Sequence, residues 1–400
     1  MKKRIAAIDI GTTKVCTIMG VLDSTSGLRV LGVGIAPSHG IEKALVADAA
    51  KAKESILASI KKAEQMAGYR LESAYVGVTG RHISSMNSKG VVAISRPDTK
   101  VRAEDLKRGL DVALNVQISG EQKILHVIPR SYRLDGHEVK NPVGMNGSEL
   151  EVEVHVITAS TSSVQNLTKI IKGLNVNIED LILEPLASAE AALAEEEKLA
   201  GVLVADIGGG TTDIAIIKDG SIYHSAVIPA AGNQITSDLV SGLGLNFELA
   251  EEMKKKYGTL VPAGENTDQD KTVGDNGQHV NFTDLCDIMQ ARVEEIIRLI
   301  ILDIPGEKAA GLIPAGIVLT GGCANIPGIA QLAEKLTKMP VRIGSPITLS
   351  GVSIDALSNP AYATSVGLIL YSMKNKGTSN WFSKRKGFRG FLDQLLAIFK

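Results

Sequence analysis

Two segments about 200 residues apart in this 400-residue chain share one plan, and an internal repeat favours a duplicated half-domain. The first, AIDIGTTKVCTI, has an apolar run that reaches Asp9, then a turn and a second apolar run. The second, VADIGGGTTDIAII, does the same around Asp206. Short apolar runs on both sides of a glycine-containing turn are typical of two strands and their connection. The chain is also too long for one ordinary compact core, so two or more domains are expected.

The two turns combine carboxylates, glycines and hydroxyls in a pattern that suits a nucleoside triphosphate. Glycine lets backbone N–H groups approach phosphate oxygens closely, and Mg²⁺ is held through carboxylates and water. One such turn also occurs in ordinary hairpins, whereas two facing turns would clamp one triphosphate. The G-x-x-x-x-G-K-[ST] phosphate loop is absent. The predicted binding residues are Asp9, Gly11, Thr12, Thr13, Lys14, Asp206, Gly208, Gly209, Gly210, Thr211, Thr212 and Asp213, with Asp9 and Asp206 holding Mg²⁺ through water.

The paired turns, with a later strand that ends in LTGG, resemble the actin, heat-shock chaperone and sugar-kinase superfamily. That resemblance implies an α/β, actin-like fold with two duplicated domains around an ATP cleft. It places Gly321 and Gly322 near the adenosine. The family's A-E-x-x-K helix motif is AEEMK here, which makes Glu251 and Lys254 candidates for the nucleoside. The alternative is that both lie on a solvated helix face.

The segment EPLASA resembles the first connecting helix of the superfamily, and NPAYATSVG resembles the second. Some hydrolytic members carry a water-orienting carboxylate at the start of the first helix, which is Glu184 in this chain. A general base of this kind lies one water away from the γ-phosphate. The alternative is an exposed glutamate at the end of a strand, before a proline. The small residues of the second helix suit a tight hinge.

The last twenty residues predict an amphipathic helix with a basic start. They contain the chain's only tryptophan and four of its six phenylalanines. A basic, aromatic-rich amphipathic helix on a polar linker is typical of an interfacial membrane anchor. The alternatives are a helix docked on the protein's own core and a helix that binds a partner. The predicted membrane-contacting residues are Trp381, Phe382, Lys384, Arg385, Lys386, Phe388, Phe391, Leu392, Leu395, Leu396 and Phe399.

Composition excludes several classes of protein. The net charge of −1 gives no overall attraction to nucleic acid. The three cysteines are far apart and odd in number, which favours a reducing cytoplasm over a disulfide framework. The first residues lack the apolar stretch of a signal peptide, and no uncharged apolar run is long enough to span a bilayer. Locally, the sequence predicts helices over about 44–67 and over 161–172, and an exposed loop over 261–280.

An inserted segment and the C-terminal tail make the chain resemble the FtsA family of bacterial cell-division proteins over nearly all its length. The resemblance divides the chain into 1–82 and 164–200 (subdomain 1A), 83–163 (inserted α+β subdomain 1C), 201–230 and 306–355 (subdomain 2A), 231–305 (subdomain 2B), 356–373 (a helix returning to 1A), 374–380 (linker) and 381–400 (membrane-targeting helix).

The FtsA resemblance implies an ATP-binding adaptor, at most a weak ATPase, that forms filaments on the cytoplasmic face of the inner membrane at the division site. Its implied partners are itself, the anionic membrane surface, other division proteins and the C-terminal peptide of the tubulin-like protein FtsZ. Arg292 aligns with a basic residue that the family uses for that peptide. The alternatives are a scaffold of a pilus or secretion system, similar to PilM, and a small-molecule kinase of the superfamily.

Overall fold

The structure is a computed structural model. It describes residues 3–23, 27–96, 98–261, 272–275, 278–306, 309–347, 349–351 and 354–374. The predicted membrane helix at 381–400, with every membrane-contacting residue named above, lies outside the described residues, as does most of the linker before it.

The described residues form strands and helices that alternate along the chain. The strands are β1 (Lys3–Ile10), β2 (Lys14–Asp23), β3 (Gly27–Pro37), β4 (Ile41–Glu42), β5 (Leu45–Val46), β6 (Ser73–Val78), β7 (Ile83–Ala93), β8 (Gln122–Leu134), β9 (His137–Val139), β10 (Glu149–Ser160), β11 (Asn177–Leu183), β12 (Val202–Ile207), β13 (Thr212–Lys218), β14 (Ser221–Ile228), β15 (Thr272–Asp275), β16 (Gln278–Asn281), β17 (Ile317–Thr320), β18 (Val341–Ile343) and β19 (Ser350–Gly351). The helices are α1 (Ala49–Ala67), α2 (Ala103–Ala113), α3 (Thr161–Lys172), α4 (Glu184–Ala192), α5 (Glu195–Ala200), α6 (Gly232–Leu243), α7 (Phe247–Tyr257), α8 (Phe282–Leu302), α9 (Ala309–Leu312), α10 (Ile329–Thr337), α11 (Ile354–Leu357) and α12 (Ala363–Lys374).

The two main sheets share a five-strand topology, to which the first adds the short edge strand β19, and this confirms the duplicated α/β architecture. In the first sheet the strand order is β11-β6-β1-β2-β3-β19, and in the second it is β14-β13-β12-β17-β18. In each half, three consecutive strands form an antiparallel meander, and its first strand pairs in parallel with a later strand. The first strand of each meander is central and almost entirely buried, as expected for a strand covered on both faces.

Helix α1 starts later than the sequence predicts. The prediction of a helix from residue 44 is wrong at its beginning, because the short hairpin β4–β5 occupies residues 41–46. Asp48 then caps the helix, since its Oδ1 accepts hydrogen bonds from the backbone N–H groups of Ala50 and Lys51 at 3.0 and 3.1 Å. A second local difference is the hairpin β15–β16, which lies where an exposed loop is predicted.

An inserted sheet of four strands, in the order β7-β10-β8-β9, interrupts the first half between β6 and α3. Helix α2 packs on it, and a separate hydrophobic cluster fills the space between them. The sheet also contacts β14, the edge strand of the second half. Ser85 Oγ donates to the carbonyl of Ser225 at 2.7 Å, Ser221 Oγ donates to the carbonyl of Pro129 at 2.7 Å, and the Arg130 guanidinium lies over the ring of a tyrosine in β14 at 4.2 Å.

Helices α4 and α12 pass between the two halves in close contact. Helix α4 is buried over most of its length. The two backbones come so close that a Cβ at Gly367 of α12 would overlap the backbone of Ala187 in α4. This pair of helices therefore packs against the first strands of both meanders, where the phosphate-binding turns are predicted.

Candidate functional site

The structure brings the two predicted turns together. Each is closed by the same backbone hydrogen bond: Gly11 N to Lys14 O at 3.0 Å, and Gly208 N to Thr211 O at 2.9 Å. A Cβ built on Gly210 would lie 3.0 Å from Cβ of Thr12, so the turns face each other at a distance that only glycine permits. A triphosphate between them would meet backbone and hydroxyl donors from both halves.

Four buried carboxyl groups gather beside the turns. Burial raises the pKa of Asp9, and the neighbouring Asp206 raises it further. Burial also raises the pKa of Asp213 to about 7, although a hydrogen bond from Thr79 opposes the change. The pKa of Glu184 is well above its usual range, first because of burial and then because of the repulsion of the other carboxylates. This concentration of negative charge favours a bound cation.

The donor set fits a magnesium ion held through water. Within the part of the chain that the structure describes, no three or more His, Cys, Asp or Glu side chains are placed to hold a metal directly. Mg²⁺ usually keeps several waters in proteins and binds through one or two carboxylates together with substrate phosphates. Asp9 and Asp206, which are 6% and 8% exposed at the ends of β1 and β12, suit that mode.

Glu184 begins α4 immediately after β11, and Pro185 is the next helical residue. It is 7% exposed, so it is not the solvated strand-end glutamate of the alternative interpretation. A Cβ at Gly77 of β6 would lie 3.0 Å from Oε1 of Glu184, which shows that the carboxyl group packs on the first sheet. The carboxyl group therefore lies close enough to Asp9 and Asp213 for both carboxylates to raise its pKa.

A cavity of about 170 Å³ lies next to the turns on the side of the second half. Glu251 and Lys254 of α7 line it, and so does Gly322. Glu251 and Lys254 are less exposed than residues on a solvated helix face would be, which contradicts the alternative interpretation of that motif. Lys254 Nζ lies 2.6 Å from Oε2 of Glu251 and donates to the carbonyl of Gly232 at 3.0 Å. Gly321, the residue after β17, has φ +87°, and a side chain there would overlap the carboxylate of Asp206.

Sequence reasoning missed the start of α6 as part of this site. Gly232 and Asn233 line the cavity, and their N–H groups donate to the carbonyls of Gly208 and Gly209 at 3.0 and 2.7 Å. These bonds fix the second turn on the end of α6. The only signal in the sequence is the Gly-Asn pair before an amphipathic segment. Cys323 also lies in the wall, and burial raises its pKa to about 11.

Arg292 lies on α8 and is not among the residues that line the cavity beside the two turns. Its Nε and Nη2 atoms lie 2.5 and 3.0 Å from the carboxylate oxygens of Asp238, and Nη1 lies 2.5 Å from Oε2 of Glu295. Its side chain is 27% exposed. An acidic peptide that binds this guanidinium would therefore have to compete with two carboxylates that already hold it.

Comparison with known proteins places the chain among cell-division proteins. The profile of the family "Cell division protein FtsA" matches residues 203–367, and that of the "SHS2 domain inserted in FTSA" matches residues 80–158. The chain is 41% identical to the cell division protein FtsA of Pseudomonas aeruginosa, covering 94% of this chain and 90% of that protein. It is 34% identical to the FtsA protein of Escherichia coli K12, covering 94% and 91%.

Solved structures with the same fold are more distant in sequence. A PilM-PilN type IV pilus biogenesis complex has a TM-score of 0.62 at 15% identity, covering 92% of this chain and 98% of that one. MreB 5 of Spiroplasma citri bound to AMPPNP has a TM-score of 0.56 at 16% identity, covering 94% and 98%. At these identities the likeness shows the actin-like fold alone.

Proposed function

The chain belongs to the FtsA family of cell division proteins, and from that premise we propose that it binds ATP, polymerises on the cytoplasmic membrane and tethers the FtsZ ring. The single observation that carries the nucleotide part is the pair of matching turns that face each other, with Asp9 and Asp206 behind them. Neither turn alone would enclose a triphosphate, whereas the two together offer donors from both halves.

Each group of the site has a distinct task in this proposal. The N–H groups and hydroxyls of the two turns hold the phosphates, while Asp9 and Asp206 hold the water shell of Mg²⁺. When bound, Mg²⁺ supplies positive charge that offsets the phosphates and the buried carboxylates. Lys254 and Glu251 fix the wall on which the nucleoside lies. Glu184 accepts a hydrogen bond from a water molecule and orients it for a weak hydrolysis that is secondary to assembly.

The membrane part of the proposal rests on the sequence of residues 381–400 and on where α12 ends. Lys374, the last residue of α12, has a side chain that is 51% exposed, so the chain leaves the folded body at the surface. Among the described residues no helix is long and apolar enough to cross a membrane. Attachment by an interfacial helix on a short linker would keep the body beside the bilayer.

The FtsZ part of the proposal rests on family membership and on Arg292. The acidic C-terminal peptide of FtsZ would exchange with Asp238 or Glu295 at that guanidinium. Exchange of one carboxylate for another costs little at a partly exposed site, so the peptide would bind reversibly. The alternatives of a PilM-like scaffold and a small-molecule kinase lose their support, because likeness at 15% identity concerns the fold and likeness at 41% identity concerns FtsA.

The test is co-sedimentation with anionic liposomes in the presence of ATP and Mg²⁺, with the full chain and a truncation ending at Asn380. We expect the full chain to sediment, to bring FtsZ with it, and to lose both properties when the tail is removed. Liposomes of neutral lipid are the matched control for the basic residues, and they should bind less. If the full chain and the truncated chain both stay in the supernatant, the membrane part of the proposal is wrong. If FtsZ is not recruited by the membrane-bound chain, the tethering part is wrong.

A further inference from the structure

Three hydroxyl groups from the connecting helices hold the two aspartates that lie behind the phosphate-binding turns. Ser365 Oγ of α12 donates to Oδ2 of Asp9 at 2.5 Å. Ser188 Oγ of α4 and Thr364 Oγ1 of α12 both donate to Oδ2 of Asp206, at 2.6 and 2.7 Å. The three hydroxyl-bearing residues are 7% exposed or less. Both aspartates are therefore tied to α12, and Asp206 is tied to α4 as well.

The geometry of these bonds is selective. In both aspartates the oxygen that accepts the hydroxyl is Oδ2, so each carboxylate is held at one of its two oxygens, and Oδ1 of Asp206 lies against Gly321. Ser188 and Thr364 also lie 2.9 Å apart, oxygen to oxygen, because both donate to the same carboxylate oxygen, and this shared acceptor links α4 to α12. Carboxylates that bind a metal are commonly oriented by further hydrogen bonds of this kind.

Packing alone would not require hydroxyls at these positions. A buried hydroxyl costs free energy unless it is hydrogen-bonded, and alanine or valine would fill the same space between α4 and α12. Helix α12 contains a natural comparison in Ser372, which is 2% exposed and donates to the carbonyl of Ile369 in its own helix at 2.7 Å. The hydroxyl of Ser372 is hydrogen-bonded within its own helix, whereas the hydroxyls of Thr364 and Ser365 bond to carboxylates that lie 158 and 356 residues away in sequence.

We propose that Ser188, Thr364 and Ser365 are positioning residues that orient Asp9 and Asp206 toward the water shell of Mg²⁺ and so set the magnesium dependence of nucleotide binding. This inference rests on the proposed binding of ATP. Loss of one of these hydroxyls leaves a carboxylate that can rotate away from the metal or bond elsewhere in the cleft. Removing such an outer partner typically weakens a metal site by about 10–100-fold.

The experiment measures the Kd for a fluorescent ATP analogue, both in excess MgCl₂ and in EDTA, and the MgCl₂ concentration that gives half-maximal binding. We expect Ser365→Ala and Thr364→Val to weaken binding about 10–100-fold in MgCl₂ and to leave the Kd in EDTA unchanged. Thr364→Ser keeps the hydroxyl and should restore the magnesium response. Ser372→Ala removes a buried hydroxyl from the same helix and should behave as the unmodified chain.

Two results would overturn the inference. If the hydroxyls serve only folding, the variants will raise the Kd equally in MgCl₂ and in EDTA. If the hydroxyls have no effect on the magnesium site, the MgCl₂ concentration for half-maximal binding will stay unchanged in both variants. Ser188→Ala provides an independent variant on α4, with folding of every variant checked by thermal unfolding. If the unmodified chain binds the analogue no better in MgCl₂ than in EDTA, the proposed Mg²⁺ site is wrong as well. A normal response in the unmodified chain with no loss in the variants refutes this inference alone.

Discussion

The substitution Gly210→Ala tests whether the two turns must approach as closely as the structure indicates. Gly210 is buried, and its backbone has a conformation that alanine adopts without strain, because its φ is not positive. The new Cβ would lie 3.0 Å from Cβ of Thr12. Rotation of the threonine side chain does not move its Cβ, so the overlap is relieved only when the backbones of the two turns separate.

The size of the effect follows from that distance. Carbon atoms in ordinary contact are about 3.5–4.0 Å apart, so the turns must separate by roughly 0.5–1 Å. A shift of that size breaks about one hydrogen bond between a turn and a charged phosphate, which is worth about 1.5–3 kcal/mol. At about 1.4 kcal/mol for each factor of ten, the Kd for ATP should rise roughly 10–150-fold.

The assay is a titration of the variant with a fluorescent ATP analogue, arranged as a double-mutant cycle with Thr12→Gly. Because Thr12→Gly removes the opposing Cβ, Gly210→Ala should cost little in that background. Gly120→Ala is the matched control, since a Cβ there meets nothing within 4 Å. If Gly210→Ala weakens binding equally in the presence and absence of the Thr12 side chain, the steric reasoning is wrong.

Two further predictions concern titratable groups. Burial lowers the pKa of His155 to about 3, with smaller contributions from His224 and Arg130. At His155 the unfolded chain therefore binds a proton below pH 6.5 that the folded chain does not, and as the pH falls from 6.5 to 3 this residue should lower the free energy of unfolding by about 1.4 kcal/mol for each pH unit; urea unfolding at several pH values should show that contribution as the difference in slope between the unmodified chain and His155→Gln, and equal slopes would contradict the assignment. Glu184→Gln keeps the size of this buried side chain but replaces one of its acceptor oxygens, so ATP should bind about as tightly while single-turnover hydrolysis falls about 100-fold or more; unchanged hydrolysis would show that Glu184 does not orient the water.

Local patterns in the sequence were sufficient to predict the repeated halves and the two turns that the structure brings together. The two turns depend on consecutive residues, so their chemistry is visible in the sequence around Asp9 and Asp206. Helix α3 begins and ends at the predicted residues, 161 and 172, because its polar start and apolar spacing are both local. The resemblance to known families supplied the roles that consecutive residues alone do not define, such as those of Glu251 and Lys254.

Features that depend on distant residues were beyond this reasoning. Small residues in α4 and α12 indicate close packing, but nothing in either segment shows that Ser365 meets a carboxylate 356 residues away. The hairpin β15–β16 was missed because glycine, asparagine and aspartate are frequent in that segment and are typical of loops. The apparent early start of α1 came from apolar residues that belong to a hairpin, where Lys43 and Ala44 adopt positive φ values.

The inserted sheet is joined to the molecule in two ways, and this restricts how the cleft can open. It is covalently continuous with the first half, while Ser85 and Pro129 bond to β14 of the second half. Imidazole nitrogen Nε2 of His155 adds a third link, 2.9 Å from Oγ of Ser225. The two halves are thus connected at the helices α4 and α12 and again through the inserted sheet. A nucleotide can widen the cleft only if these polar links break or the inserted sheet moves. A protein that binds the inserted sheet would therefore also affect how far the cleft opens.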